Sequence, residues 1–529
     1  MCRTGPARRH SRAPGAAVPG RRWPEQVRRY GRIRGMGIVA GLDSSPDFTR
    51  IIVCDADTGA VLRQGYAPHP VEGTEGAGRP SDVDPQAWLL SLGEAAGGGL
   101  LEGVQAIGVS AQQNAVVPLD AQGGTVRPAL VGGDRRAQVA AADLIDALGG
   151  REAWAQAVGC VPQAAQPVTK LRWLARNEPE SAARVAVLMQ AHDWLVWQLL
   201  GRPVRRTTDR GGASGTGYWS AATGGYRSDL VELALGHQAV LPEVIGPSDA
   251  AGTTPEGLMI SAGTGETMAA AFGLGLGLGD AVVSLGASGS VMAVHPEALQ
   301  DGSGMITALA DATGMHLPVV TTLNAVRTLR GTAELLGLPD LESLSDLAMK
   351  STPGSHGLVL LPYLEGERTP ALPHTAGTLT GLRRESMKPE HLARAAFEGM
   401  LCGLADALDV LRGRGVEVRR IFLLGGGGRT AGGAGGGARA VRGAGRRTAA
   451  GRLRGDRCRP AGGLGARGVP GDPGPAHPAG LAGGRSRRCS NPARSWPWGR
   501  PCGSSTCRYG SRPIRGRSAR RSRRVNRLG

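Results

Sequence analysis

The sequence lacks a long uninterrupted apolar run, and it has few cysteines. Glycines and Asp280 interrupt the longest apolar stretch, so no segment is long enough to span a membrane. No apolar stretch follows the arginine pairs near the start, as a secretory signal would require. Between residues 36 and 425 the only cysteines are Cys54, Cys160 and Cys402, which lack the paired spacing of a metal site. These absences predict a cytoplasmic protein with no membrane partner and no metal held by protein ligands alone.

The middle of the chain lacks the basic charge that the whole sequence suggests. The net charge is +18, but residues 1–35 carry +9, residues 426–529 carry +22, and residues 36–425 carry −13. The middle therefore has the charge of an ordinary acidic globular protein. Residues 1–35 are predicted to be a disordered, Arg-rich extension, and Met36, directly before the first apolar strand, is the start that the pattern favours.

The segment after Gly425 lacks Lys, Glu and Phe. Such a segment cannot bury enough apolar surface to offset its chain entropy, which predicts a disordered Gly/Arg/Pro-rich tail over residues 429–529. An Arg-rich tail can also bind nucleic acid, although aromatic residues or repeats usually interleave the arginines of such tails. The abrupt change of composition within residues 425–428 favours a third interpretation, translation in a wrong frame, which would leave the last domain incomplete.

A glycine-rich stretch, residues 261–290, is the feature around which the rest of the chain is organised. It opens with a turn at residues 263–265, which delivers the carboxylate of Glu266 to the start of a helix. It closes with a turn at residues 286–289 between two apolar strands. A turn of glycine and hydroxyl residues can surround a phosphate with backbone N–H groups, because no Cβ blocks the approach. It also suits a plain hairpin, so this pattern alone leaves both interpretations open.

A second hairpin near the start has the same organisation, with a strand at residues 38–43, a turn at residues 44–49 and a returning strand at residues 51–55. Each half of the chain thus begins with strand, hydroxyl-bearing turn, strand, as a duplicated nucleotide-binding fold requires. A third string, Tyr-Leu-Glu-Gly-Glu-Arg-Thr-Pro at residues 363–370, follows an apolar stretch at residues 358–361 that predicts a buried strand. On these motifs the chain resembles the FGGY family of carbohydrate kinases, and within it the xylulokinase branch.

The resemblance assigns residues to a sugar site. Gln113 and Asn114 match the sugar-contacting Gln-Gln-His-Gly motif of the family, with Asn in place of His, and Arg136 matches the arginine of an Asp-x-Arg pair. Glu266 stands where the family has its general base, an Asp, and Thr267 stands where it has Asn. Without the resemblance, the run of polar residues at the strand end that includes Gln113 has two equally good explanations. It can form hydrogen bonds to a polyol, or it can be a solvated strand end. Glu266 is then better explained as an acid at a helix N-terminus.

The resemblance also implies ATP and Mg²⁺ as cofactors, with Asp43 beside the metal and the phosphates. The residues assigned to ATP are those of the two hairpin turns and of a glycine turn after an apolar strand at residues 421–424: Ser44, Ser45, Gly286, Ala287, Ser288, Gly289, Gly425, Gly426 and Gly427.

The implied fold is α/β, a two-domain actin-like (ribonuclease-H-like) ATPase fold whose second domain lacks its C-terminal part. Residues 36–275 would form the sugar-binding domain and residues 276–428 the ATP-binding domain. The implied function is ATP-dependent phosphorylation of D-xylulose to xylulose 5-phosphate. Three alternatives stay open: a kinase for another ketose or polyol, a non-catalytic sugar or nucleotide binder, and a nucleic-acid binder acting through the arginines. The oligomeric state, a homodimer included, also stays open.

Overall fold

The computed structural model describes residues 37–70, 82–132, 134 and 136–425. The predicted extension at residues 1–35, the predicted tail at residues 429–529, and Gly426 and Gly427 lie outside these residues.

The described chain contains strands of two to eight residues, which are β1 (Ile38–Ser44), β2 (Phe48–Asp55), β3 (Val61–Pro68), β4 (Asp82–Val83), β5 (Ala106–Ala111), β6 (Val117–Leu119), β7 (Ala129–Leu130), β8 (Val187–Met189), β9 (Thr207–Thr208), β10 (Trp219–Ser220), β11 (Gly225–Tyr226), β12 (Glu243–Val244), β13 (Ala250–Thr253), β14 (Met259–Ser261), β15 (Thr264–Gly265), β16 (Asp280–Leu285), β17 (Gly289–Ala293), β18 (Ile306–Ala310), β19 (His316–Thr322), β20 (Val359–Leu361), β21 (Thr378–Thr380) and β22 (Arg420–Leu424).

Its α-helices are α1 (Pro85–Ala95), α2 (Gln138–Ala147), α3 (Arg151–Val158), α4 (Pro167–Asn177), α5 (Pro179–Arg184), α6 (Ala191–Leu199), α7 (Arg210–Gly215), α8 (Ser228–Leu235), α9 (Glu266–Gly273), α10 (Val326–Leu335), α11 (Leu341–Met349) and α12 (Pro389–Gly413). None of the helices in the described ranges is both long and apolar enough to cross a membrane.

The first domain is built on a seven-stranded sheet with β1 near its centre. The strand order is β13-β14-β5-β1-β2-β3, and β15 also pairs with β5. β1 runs antiparallel to β2 and parallel to β5. Its side chains alternate between the two faces, so Ala40 and Leu42 are buried while Gly41 between them is exposed.

The second domain repeats this arrangement in a five-stranded sheet of order β18-β19-β17-β16-β22. Its first strand, β16, runs antiparallel to β17 and parallel to β22, as β1 does to β2 and β5. The two hairpins predicted from the sequence are therefore equivalent elements of two α/β domains, which confirms the predicted duplication.

Helices cover both sheets and close two separate cores. In the first domain α1 and α6 meet through Trp88 and Trp194, whose rings pack edge to face with centroids 6.0 Å apart. The side chain of Asp84 accepts a hydrogen bond from the backbone N–H of Gln86 and begins α1, as its sequence predicts. In the second domain α12 places an apolar stripe, including Met400, against the sheet.

Hydrogen bonds connect the two domains on the side of α7. The backbone N–H of Ala310, in β18, donates to Ser214 Oγ in α7 at 2.9 Å. Gln163 Nε2 donates to the carbonyl of Gly304 at 3.3 Å. Gly215, the last residue of α7, borders the amide of Gln113. The surroundings of Gln113 are therefore next to the second domain, which α7 contacts through β18.

The apolar strand predicted at residues 358–361 is present as β20, but the prediction that it is buried is wrong. β20 pairs antiparallel with β21 in a two-stranded ribbon, and Val359 and Leu361 are 48% and 42% exposed. A two-stranded ribbon covers little of its own surface, so apolar residues in it stay accessible to solvent.

Candidate active site

Asp43 lies at the carboxyl-terminal end of β1, where the strands β5 and β15 of the first sheet also end. β1 and β15 both run parallel to β5, and Asp43 and Thr264 are the register partners of the same residue, Ser110. Neighbouring strands are about 4.8 Å apart, so the backbones of Asp43 and Thr264 are separated by roughly two such spacings. Gln113 and Glu266 follow within three residues of these ends. In parallel sheets this edge is where ligands bind.

Two hydroxyl groups orient the carboxylate of Asp43. Ser45 Oγ donates to Asp43 Oδ2 at 2.9 Å, and Ser110 Oγ donates to Asp43 Oδ1 at 3.3 Å. Both donors are neutral, so the carboxylate keeps its charge available for a cation or for a phosphate-bound metal. Ser44 lies on the opposite face of the strand, and its buried Oγ has no hydrogen-bond partner among the described residues.

Gln113 lies between two glycines that leave room for its amide. A Cβ on Gly265 would come within 3.2 Å of Gln113 Oε1, and a Cβ on Gly215 would come within 3.2 Å of Gln113 Nε2. Gln113 Oε1 is buried and has no hydrogen-bond partner in the described part of the chain. A buried acceptor in this state needs a donor, and a hydroxyl group of a bound polyol can supply it.

Asn114 adopts a backbone conformation that restricts which residues suit this position. Its φ is +64°, in the left-handed region that Asn, Asp and His tolerate better than other residues with a side chain. The Asn that stands in place of the family's His therefore keeps the turn. What changes is the side chain offered to a ligand, an amide instead of an imidazole.

Glu266 is the first residue of α9. It follows β15 directly and is exposed to solvent. The turn before it depends on Gly263, whose φ of +77° strains any other residue. Thr267 follows Glu266 in the first turn and is half-buried. The structure thus brings Gln113, Glu266 and Thr267 to one region of the first domain.

Arg136 is held in an ion-pair network next to this region. Its guanidinium binds Asp134 Oδ2 at 2.9 Å and Asp82 Oδ1 at 2.5 Å, and it stacks over Trp173. The hydrogen bonds that Arg136 donates to the Asp134 carboxylate raise the pKa of Arg136 above its usual value. A contact between Arg136 and a sugar stays a prediction.

In the second domain, the turn between β16 and β17 contains the residues assigned to phosphate. Gly286, Ala287 and Ser288 are exposed, whereas Gly289 is buried. A Cβ at Gly289 would lie 2.7 Å from the side chains of Leu404 and Thr322. The first backbone N–H groups of α10 donate to the carbonyls of Gly286 and Ala287. The N-terminus of α10 therefore supports this turn directly.

The strand β22 brings a third glycine turn to the same edge of the second sheet. β22 runs parallel to β16, with Leu424 opposite Ser284. Gly425 follows with φ of +97°, and a Cβ there would lie 2.5 Å from the carbonyl oxygen of Leu285. The turns at residues 286–289 and at Gly425 are therefore neighbours, and their common assignment to ATP stays a prediction.

Comparison with known proteins gives the same pattern over both domains. The profile of the N-terminal domain of the FGGY family of carbohydrate kinases matches residues 38–283, and that of the C-terminal domain matches residues 281–432. The chain belongs to the FGGY family of carbohydrate kinases. The family also has the two-domain actin-like α/β fold that the two sheets display.

Several relatives of this FGGY kinase are similar over most of its length. The chain is 41% identical over 401 residues to the xylulose kinase of Streptomyces coelicolor, which covers 74% of this chain and 80% of the relative. It is 40% identical over 405 residues to that of Streptomyces rubiginosus, with the same coverage. The crystal structure of xylulose kinase from Bifidobacterium adolescentis superposes with a TM-score of 0.69 at 36% identity, covering 75% of this chain and 86% of that one.

The structure of this FGGY kinase adds a residue that sequence reasoning did not assign, Asp209. Its carboxylate accepts hydrogen bonds from Thr264 Oγ1 at 2.7 Å and from the backbone N–H of Gly212 at 2.7 Å. Asp209 thus caps α7 and also holds the strand β15, which leads into Glu266. No local pattern in the sequence indicates this contact, because Asp209 and Thr264 are 55 residues apart.

A buried histidine completes this cluster. His192 Nε2 lies 3.0 Å from Asp193 Oδ1 and 3.3 Å from Asp209 Oδ1, and its side chain is 1% exposed. Burial lowers the pKa of His192, but the two carboxylates outweigh burial and raise the pKa to about 10. His192 is therefore a cation at neutral pH. His192 is the second residue of α6, and no local pattern in the sequence indicates its contact with Asp209.

We expect His192→Gln to destabilise the protein by about 3 to 5 kcal/mol near pH 6.5, because it leaves two buried carboxylates facing each other. The folded pKa is raised above the unfolded value of about 6.5, so the contribution of His192 is complete below pH 6.5 and is lost as pH rises towards 10. Urea unfolding at pH 6.5, 8 and 9.5 measures this trend. His374→Gln, at an exposed site, is the control. A difference from wild type that is constant with pH contradicts the expectation.

The string at residues 363–370 has a structural role within the second domain. Glu367 is buried, and its carboxylate accepts hydrogen bonds from the backbone N–H of Leu323 at 2.6 Å and from Asn324 Nδ2 at 3.0 Å. These residues lead into α10, whose N-terminus supports the turn at residues 286–289. Glu367 is therefore a buried structural residue, although the charged residues around it in the sequence suggest a solvated loop.

Proposed function

We propose that this FGGY kinase transfers the γ-phosphoryl group of ATP to D-xylulose, giving xylulose 5-phosphate and ADP. The observation that carries the proposal is the edge of the first sheet, where the register of three parallel strands gathers Asp43, Thr264, Gln113 and Glu266. The choice of D-xylulose is supported by the xylulose kinases that are about 40% identical over most of this chain.

The reaction uses Glu266 as general base. The sugar binds with its hydroxyls on the amides of Gln113 and Asn114 and beside Thr267. Glu266 accepts the proton of the reacting hydroxyl as its oxygen forms a bond to the γ-phosphorus, and the bond from that phosphorus to the bridging oxygen of ADP breaks. The chemistry of phosphoryl transfer needs mainly position and charge stabilisation, with a base that orients the nucleophile.

The turns of the second domain would hold ATP: the backbone N–H groups around residues 286–289 would bind its phosphates, and the turn at Gly425 would accommodate its nucleoside. Mg²⁺, when bound, neutralises charge on the phosphates, and the oxygen ligands of Asp43 suit it because Mg²⁺ binds proteins through one or two carboxylates together with phosphates. Ser45 and Ser110 keep that carboxylate oriented. No group of three or more His, Cys, Asp or Glu in the described residues forms a separate metal site.

A second candidate is a kinase for another ketose or polyol. It is favoured by the observation that three departures from the family motifs, at Asn114, Glu266 and Thr267, fall together at the proposed sugar site. A shorter or longer polyol would place its reacting hydroxyl differently relative to a carboxylate that carries one more methylene.

The test is release of ADP by the purified full-length chain with Mg²⁺–ATP and a panel of D-xylulose, D-ribulose, D-fructose, xylitol and glycerol. We expect ADP release that depends on D-xylulose, with a product heavier by one phosphoryl group in mass spectrometry. Faster turnover of another sugar would select the second candidate. Sugar binding by calorimetry without phosphorylation of any of them would identify a non-catalytic binder.

A further inference from the structure

A buried lysine lies behind the sugar-contacting turn. Lys170, on α4, is completely buried, which is uncommon because removing an ammonium group from water costs several kcal/mol unless it is compensated. Its Nζ donates hydrogen bonds to the backbone carbonyls of Asn114 and of Leu130, the second at 3.3 Å. The carboxylate partner that a buried lysine usually has is replaced by two carbonyl oxygens.

These two carbonyls belong to one small structural unit. Leu130 exchanges backbone hydrogen bonds with Val116, two residues after Asn114, at 2.9 and 3.0 Å. The ammonium therefore fastens both the left-handed residue at the turn and the strand that anchors the turn. A non-glycine residue with positive φ is held only where its surroundings enforce that conformation.

We propose that Lys170 is a positioning residue of the sugar site, which holds the Asn114 carbonyl and thereby fixes the amides of Gln113 and Asn114 for the substrate. This rests on the function proposed above, because it takes these two amides as the sugar contacts. Lys170 does not reach the substrate itself: both of its described hydrogen bonds go to backbone carbonyls.

The charge on Lys170 gives this proposal a pH dependence. Burial lowers the pKa of Lys170 to about 7. The negative charge of Asp134 opposes this shift, and the positive charge of Arg136 adds to it. Within the part of the chain that the structure describes, Asp134 and Arg136 are the charged groups that act on Lys170. Above that pH the ammonium loses its charge, and its hydrogen bonds to the carbonyls weaken.

The first test compares Lys170→Met, which keeps the length and removes the donors, with Lys350→Met at an exposed lysine at the end of α11. We expect KM for D-xylulose to rise by about tenfold or more in Lys170→Met, whereas KM for ATP changes by less than about twofold. Lys350→Met should match wild type in both. A merely structural lysine would change both KM values and kcat together or change none, and either result would overturn the proposal.

The second test needs only wild type and Lys170→Arg, so it stands even if Lys170→Met does not fold. In wild type, KM for D-xylulose should rise as pH increases from 6 to 9 while KM for ATP stays flat. Arg keeps its charge throughout this range, so Lys170→Arg should flatten the rise. The proposal fails if the two enzymes have the same profile. Absence of sugar phosphorylation by wild type at every pH is a different outcome, since it rejects the proposed function. The role of Lys170 in sugar binding is then tested by calorimetry of D-xylulose binding to the same variants.

Discussion

Glu266→Gln should lower kcat for sugar phosphorylation by about 10²- to 10⁴-fold, the range in which general bases contribute. The amide cannot accept the proton of the sugar hydroxyl, but it has nearly the same size and hydrogen-bonding reach as the carboxylate. Because Glu266 is exposed at the first position of α9, its substitution should leave the fold intact. KM for ATP should therefore change little, since Glu266 belongs to none of the turns assigned to ATP. Initial rates of ADP release at saturating sugar and ATP measure the effect.

The matched control is Glu256→Gln, at an exposed loop position in the same domain, which should keep wild-type kcat. Equal unfolding temperatures for the two variants would show that the loss is catalytic. Retention of more than about a tenth of wild-type kcat by Glu266→Gln would remove Glu266 from the role of base. Glu266→Asp adds a separate comparison, because it retracts the carboxylate by one methylene. A gain with D-xylulose would indicate that the longer side chain is misplaced for that sugar, an effect that can reach about a hundredfold.

The hairpins were predictable because their signals are local. Apolar alternation and a hydroxyl-bearing turn lie within about fifteen residues in each half of the chain, and the structure contains β1–β2 and β16–β17 at those places. The long helix α12 was predictable for the same reason, since its apolar stripe repeats over several turns.

The partners of Asp43 were not predictable, because register between distant strands leaves no local pattern. Ser110 comes to lie beside Asp43, and Thr264 on the other side of Ser110, only through the pairing of β1 and β15 with β5. Lys170 and Glu367 show the same limit. Both occur in stretches whose sequence suggests a helix face or a charged loop. Each is buried by partners at least 40 residues away in the sequence.

Substituting Asp43 by Asn should have the second large effect, a fall in kcat of about a hundredfold or more together with a higher Mg²⁺ concentration at half-maximal rate. The reason is the loss of one negative charge at the strand edge where metal and phosphates are proposed to meet, a place where metal stabilisation amounts to several kcal/mol. Asn still accepts a hydrogen bond from Ser45 or Ser110, so the strand end should keep its structure. The measurement is a Mg²⁺ titration of the initial rate at saturating D-xylulose and ATP.

Asp57→Asn is the control, because this exposed residue follows β2 at the opposite end of the same hairpin. It should reproduce the wild-type titration. The variants separate two roles of the first domain: Glu266→Gln should lower kcat without moving the Mg²⁺ requirement, whereas Asp43→Asn should change both. If Asp43→Asn kept the wild-type Mg²⁺ requirement and kcat, the carboxylate would serve only to bind the hydroxyls of Ser45 and Ser110. The metal would then depend on the phosphates and on residues other than Asp43.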